Sequence, residues 1–398
     1  MLSIRLVIFT CTAAVITGCS SSSTSAAGDA GGSHPGTDAA TKDASAKDTG
    51  ARPVDGGAPF IGSLTITTIG STVDPINGDQ NPYGLAIAPV TSGKLTAGDL
   101  VICNFNNAAH DAGSPDAANP DAGNVQGLGT TITYLHPTPG STPQRLVQDP
   151  HLLGCAALAL ANDDAPWAAS YSSNLAPYYN SSGVLESTLE GGPWNGPWGE
   201  TYAPAFGPNG SPSYVTANAT SGTIVRVNVS GTTFTTIASG FTLNDGAAPG
   251  TIYGASGLTY DAVHDTLFVV DSNQNRVVAF AGYSTLGENA VVVKADGTFG
   301  GPSATSASVL FSGAPLSEPI SAAQLWNGDL VVGNTGGEAG QNLLVEISLA
   351  GRVVATQNLD TGAAGALFGI VATGTNATNA RIYFNDDNTN TVNQLAPP

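Results

Sequence analysis

The side chains able to do chemistry are spread thinly along this chain. Asp79 and Asn81 stand in "GDQNP", His151 follows "QDP", Glu200 closes "GGPWNGPWGE", and Glu318 precedes Pro319. Carboxylate and amide oxygens of this kind are what a hard cation such as Ca²⁺ takes as ligands. Asp271 and Asn334 carry such oxygens as well, though nothing in the spacing makes a metal site of them. Trp194 and Trp198 are two of only four Trp. Their flat faces could stack on a sugar or peptide, or could fill a gap between structural elements. With Asp79, Asn81, His151, Glu200 and Glu318 they make up the candidate ligand-binding set. No residue stands out as catalytic. There is no Gly-x-Ser-x-Gly elbow, phosphate loop or dinucleotide fingerprint, and the five His lack zinc spacing.

What must position these groups is a repeat. In "LFVVDSNQNRVVAF" (267–280) two apolar strand runs flank a polar turn. Looser copies recur, each with an apolar strand, a turn, a second strand ending in a polar residue, a polar turn and a third strand. The second strands end at Asn104, Tyr171, Asn218, Asp271, Asn334 and Asp386, giving six copies spaced 47 to 67 residues apart. Several short strands per unit at such a period mark a β-propeller. Asn and Asp bond their own backbone two residues on and tolerate left-handed geometry, so their first role here is to end a strand and set the turn. The chain ends in "TVNQLAPP", a third strand without a fourth, and "SLTITTIGS" (63–71) is a strand without a blade. The expected fold is all-β: a six-bladed β-propeller whose N-terminal strand closes the last blade. Strand order then puts the second-to-third turns on the same face as the links into the first strands. Asp79, Asn81, His151, Glu200 and Glu318 share that face, next to the central channel.

The repeat resembles the NHL-repeat propellers, a six-bladed superfamily related in shape to the gluconolactonase/senescence-marker group. The resemblance is best over 257–280 and 82–107 and covers most of 60–398. In the gluconolactonase group, a divalent metal sits at the channel mouth on Glu, Asn and Asp ligands; the resemblance implies Glu200, Glu318, Asp271 and Asn334 as candidate metal ligands here, with calcium the candidate ion. The resemblance therefore implies a metal-dependent lactonase, hydrolase or lyase as one function. The group's Glu-Gly-Pro opening of the first blade is absent; "DQNP" (79–82) stands there. The ligands do not transfer residue by residue.

The N-terminus carries an address. Arg5 and an apolar run from Leu6 to Ile16 form a signal peptide, too short to span a bilayer. Ile16-Thr17-Gly18-Cys19 resembles a bacterial lipobox, which implies cleavage before Cys19 and lipidation of it; Ser20 after it leans toward the outer membrane. The domain plan is a lipoprotein signal peptide at 1–18, a lipidated Cys and Ala/Ser/Asp/Gly-rich tether at 19–58, and the propeller at 59–398. The tether has almost no large apolar side chain and is expected to be disordered. As a flexible coil it would span roughly 35 Å. The similar stretch 107–127 is expected to be a surface loop; its acids lack calcium-loop spacing.

Formal net charge is −19, which repels nucleic acid and anionic headgroups. Cys103 and Cys155 remain after processing, in an oxidising compartment, either as a disulfide or as two buried thiols. The sequence therefore reads as a bacterial outer-membrane lipoprotein, facing the periplasm or the cell surface. Its expected contacts are the membrane through the lipid and a protein, peptide or glycan partner on the propeller face, with no nucleic acid. Binding or scaffolding is the leading function.

Overall fold

The structure is a computed structural model describing residues 59–108, 126–207, 210–228, 233–244 and 254–398. The signal peptide, Cys19, the tether and most of the 107–127 insertion lie outside the described residues. Among the described residues there is no α-helix; twenty-six strands form six sheets.

Strand β1 (Thr65–Ser71) comes first. Blade one is β2 (Gln80–Ile87), β3 (Leu100–Asn106), β4 (Thr131–Leu135) and β5 (Gln144–Gln148). Blade two is β6 (Cys155–Leu160), β7 (Pro166–Ser170), β8 (Tyr178–Tyr179) and β9 (Leu185–Ser187). Blade three begins with β10 (Pro197–Ala203), β11 (Ser213–Asn218), β12 (Thr223–Asn228) and β13 (Phe234–Ser239). Blade four is β14 (Ala255–Asp261), β15 (Thr266–Asp271), β16 (Arg276–Ala281) and, after an excursion through β17 (Val291–Val293) and β18 (Phe299–Gly300), β19 (Ala307–Ser312). That excursion leaves its own blade: β17 pairs parallel with β13 and adds two strands to blade three. Blade five is β20 (Pro319–Gln324), β21 (Leu330–Asn334), β22 (Asn342–Ile347) and β23 (Val353–Asp360). Blade six is β24 (Leu367–Thr373), β25 (Arg381–Asp386) and β26 (Thr391–Ala396), completed by β1.

The closure joins the two ends of the domain. β1 runs antiparallel to β26, from Thr65 opposite Ala396 to Ser71 opposite Thr391. Pairing of this kind removes an open sheet edge. Just before β1, the backbone N–H groups of Phe60 and Ile61 donate to the buried Glu346 carboxylate of blade five at 2.9 and 3.0 Å.

Alternation along the strands builds the core. Leu267 and Val269 of β15 pack into the cluster shared with blade three, while Phe268 and Val270 pack into the one shared with blade five. Successive side chains point to opposite faces of a strand, and both faces here are buried between blades. The same rule makes a cluster between each neighbouring pair around the ring. Cys103 of β3 and Cys155 of β6 form a disulfide between blades one and two, with Cα atoms 5.3 Å apart. A bridge across 52 residues adds about 4 kcal/mol on the chain-entropy account.

Register corrects one reading of the repeat. Asn104, Asn218, Asp271, Asn334 and Asp386 each stand opposite the start of their blade's inner strand: Pro82, Pro197, Ala255, Pro319 and Leu367. In blade two that place belongs to Ser170, opposite Cys155, not to Tyr171. The Ser170 hydroxyl bonds the carbonyls of His151 and Leu153 as the amides do elsewhere.

Candidate functional site

The face where the inner strands begin gathers Asp79, Asn81, His151, Glu318, Asp271 and Asn334; Glu200, expected beside them, lies instead farther along β10, opposite Thr216. Many of their polar atoms hold loops, while Asp271 Oδ1 and Asn334 Oδ1 are buried without a hydrogen-bond partner. Asp79 accepts from the Thr130 backbone N–H at 2.6 Å and its hydroxyl at 2.9 Å. Asn81 sits at φ 61°, with its N–H on Asn390 Oδ1 and its side-chain amide reaching Asp387. His151 pairs its Nδ1 with Asp149 at 2.7 Å, and Asp149 also accepts from the buried Tyr179 hydroxyl. Glu318, at φ 45°, is held through its backbone by Asn275 and Thr335. Asn334 donates to the Pro315 carbonyl. Asp271 lies fully buried against the guanidinium of Arg276, Nε to Oδ2 2.8 Å. Burial still pushes the Asp271 carboxyl above the ordinary range, with Arg276 opposing it. Among the described residues, no group of three His, Cys, Asp or Glu side chains comes together as ion ligands.

The two tryptophans are structural. Trp194 is buried between blades two and three, with its indole N–H on the Leu189 carbonyl and Phe234 edge-on at 5.5 Å. Trp198 belongs to a plug on the channel axis. Tyr83 lies between Phe105 and Phe368, stacked at 4.3 and 3.7 Å, and Trp198 meets Tyr83, Phe105 and Tyr171 edge-on or tilted at 5.4 to 5.8 Å. Ala156, Ala219 and Ile320 complete this cluster. Each inner strand has a register break near its start, where these side chains leave the strand. Small residues follow the break because neighbouring inner strands almost touch. A Cβ on Gly84 would lie 2.8 Å from Ala157 Cα, and one on Gly257 would lie 2.6 Å from Ser321 Cα. The plug was missed in the sequence, although "PYG", "PWG" and "LFG" repeat at the inner-strand starts.

The opposite mouth, where the inner strands end, is open. It forms a funnel of about 510 Å³ walled by Leu158, Thr201, Tyr202, Thr259, Tyr260 and Gln324, among others. Between funnel and plug lies a throat of about 70 Å³. Glu200 lines both spaces. On β10 the alternate residues Trp198, Glu200 and Tyr202 line plug, throat and funnel in turn, as strand period dictates. Glu200 is only 8% exposed. Its Oε1 accepts from the Thr216 hydroxyl at 3.1 Å, and its Oε2 has no hydrogen-bond partner. Burial pushes its carboxyl up to about 8, with the Thr216 bond a smaller opposing effect. Near neutral pH it is therefore an uncharged acid that can donate one hydrogen bond. Asn162 and Tyr202 carry the funnel wall into a neighbouring cleft of about 410 Å³ lined by Trp167, Tyr178 and Tyr214.

This architecture recurs in solved structures. A gluconolactonase from Xanthomonas campestris superposes with a TM-score of 0.53 at 10% identity, covering 85% of this chain and 91% of its own. A candidate gluconolactonase gives 0.51 at 11%, covering 85% and 94%. The chain shares the six-bladed fold of these proteins. A virginiamycin B lyase from Staphylococcus aureus, at a TM-score of 0.47 and 15% identity with coverage of 84% and 99%, is too distant to carry an argument. No family model and no curated protein matches the chain. Identities this low establish fold and not chemistry, and the NHL label rests on the sequence resemblance alone.

Proposed function

We propose that this chain is a non-catalytic binding module, tethered to the bacterial outer membrane through lipid on Cys19, that takes its ligand into the funnel where the inner strands end. The observation that carries the reading is the contrast between the two channel mouths. Aromatic side chains fill the one where acids and amides gather, and the other opens onto a polar-walled cavity with Glu200 near its floor. A cavity of this size, part apolar with a few convergent polar groups, is the usual form of a small-ligand site. The resemblance to gluconolactonases favours the alternative, a calcium-dependent lactonase or lyase at the filled mouth. There, however, most of the polar side chains hold loops, and among the described residues no three His, Cys, Asp or Glu side chains converge.

The test is turnover against binding. The full lipoprotein in neutral detergent, given gluconolactone and millimolar calcium, is expected to hydrolyse it no faster than buffer does. Calcium-dependent turnover lost in Glu318→Gln would overturn the reading. A thermal-shift screen of sugars, short peptides and amines is expected to give a stabilising ligand that Thr259→Trp, which narrows the funnel, no longer binds. For the anchor, labelled palmitate is expected on the wild-type chain and absent from Cys19→Ala.

A further inference from the structure

We infer that the cleft beside the funnel binds a small organic ammonium cation, a quaternary or N-alkylated amine. Its walls are Trp167, Tyr178, Tyr202 and Tyr214, with Asn162 and Asp163 beside them. Trp167 stacks on Tyr214 at 3.9 Å and tilts against Tyr178 at 5.0 Å; Tyr202 tilts against Tyr214 at 5.2 Å. Trp167 and Tyr214 are buried, while Tyr178 and Tyr202 are half-buried and present surface to the cleft. Aromatic faces carry negative potential and attract alkylated ammonium groups, most strongly where several rings converge.

Among the described residues, the only formal charge lining the cleft is the exposed carboxylate of Asp163, and no Lys, Arg or His lines it. Its field reaches the rings: the Tyr178 and Tyr202 phenols are pushed up, first by burial and next by Asp163. The whole chain adds to this with a net charge of −19. The Tyr214 hydroxyl is given to the Ala165 carbonyl, while the Trp167 indole N–H has no partner, so a sugar is the competing occupant that the test separates from a cation. Because Asn162 and Tyr202 belong to both spaces, the cation's substituent has room to extend into the funnel. The inference rests on the binding-module reading for its biological sense.

The test uses the full chain in neutral detergent, titrated by calorimetry and tryptophan fluorescence with choline and with its uncharged tert-butyl analogue. Choline is expected to bind saturably, and the neutral analogue about tenfold more weakly. Asp163→Asn, at an exposed position, is expected to weaken choline about fivefold to tenfold with an unchanged melting curve; Tyr202→Leu is expected to do the same. Equal affinity for choline and the analogue, full affinity in Asp163→Asn, or no saturable binding of choline would each overturn the inference. So would methyl glucoside occupying the cleft in place of choline. If choline fails while another ligand is held in the funnel, only this inference falls. Lactone turnover with choline binding intact would remove only the binding-module reading.

Discussion

Asp271 and Arg276 show what a charge-poor chain gains from polar residues at a turn. They face each other across the β15–β16 ladder, and Arg276 also donates to the Lys294 carbonyl of the excursion between β16 and β19. Removing one partner strands a buried charge. Asp271→Ala is expected to lower unfolding free energy by roughly 3 kcal/mol, and Asp271→Leu with Arg276→Met to recover most of it. Denaturant titration reads this; a loss of under about 1 kcal/mol in the single variant would show that the pair does not hold the turn. Glu200 gives a pH signature. Its folded value lies above the ordinary 4.5, at about 8, so the native state keeps a proton that the unfolded chain releases. The resulting stabilisation is complete below about 4.5 and is lost as pH rises through about 8. Glu200→Gln is expected to flatten this alkaline decline and to melt higher than wild type at the upper end of the range. Parallel melting-temperature profiles for the two proteins would refute the assignment.

At the scale of elements, the closure depends on more than the β1–β26 ladder. Glu346 of β22 receives two backbone N–H groups from the segment leading into β1, so blade five holds the strand that completes blade six. Glu346→Leu would leave both donors buried and unpaired, a cost of roughly 2 kcal/mol or more. Hydrogen exchange should then show protection lost first in β1 and β26, with β15 unchanged; uniform loss would mean the clasp is not local. The polar turn residues belong to this scale too. Asn104 donates to the Thr72 carbonyl beyond β1, and Asn218 to the Pro193 carbonyl in the link into β10. These two turns thus fasten a loop from outside their own hairpins, whereas Asp271 and Asp386 bond within theirs. The amides were legible as turn formers, but which loop each fastens was not, because the partners are remote in sequence.

For the whole molecule, the charge balance bears on stability. The chain's net charge of −19 repels itself, and screening relieves that repulsion. Stability is expected to rise modestly between low and physiological salt, and duplex DNA is expected to give no gel shift at either. A melting temperature that falls with salt would indicate that attractive ion pairs outweigh the repulsion. The two mouths of the channel also belong to this scale. One is closed by rings from blades one, three and six, and the other is left open as the funnel.

The sequence by itself determined the ring: six copies, period-two burial, turn chemistry and a first strand free to complete the last blade. These are local signals, carried by a few consecutive residues and read from alternation and turn type. It left Cys103 and Cys155 open between a disulfide and two buried thiols, and the structure joins them. Only the tertiary structure decided which face of the ring is open. Tyr83, Phe105, Trp198 and Phe368 lie far apart along the chain and become neighbours only when the inner strands converge on the axis. Side chains from one end of those strands filled the mouth beside the acids and amides, leaving Glu200 to line the throat from the other side.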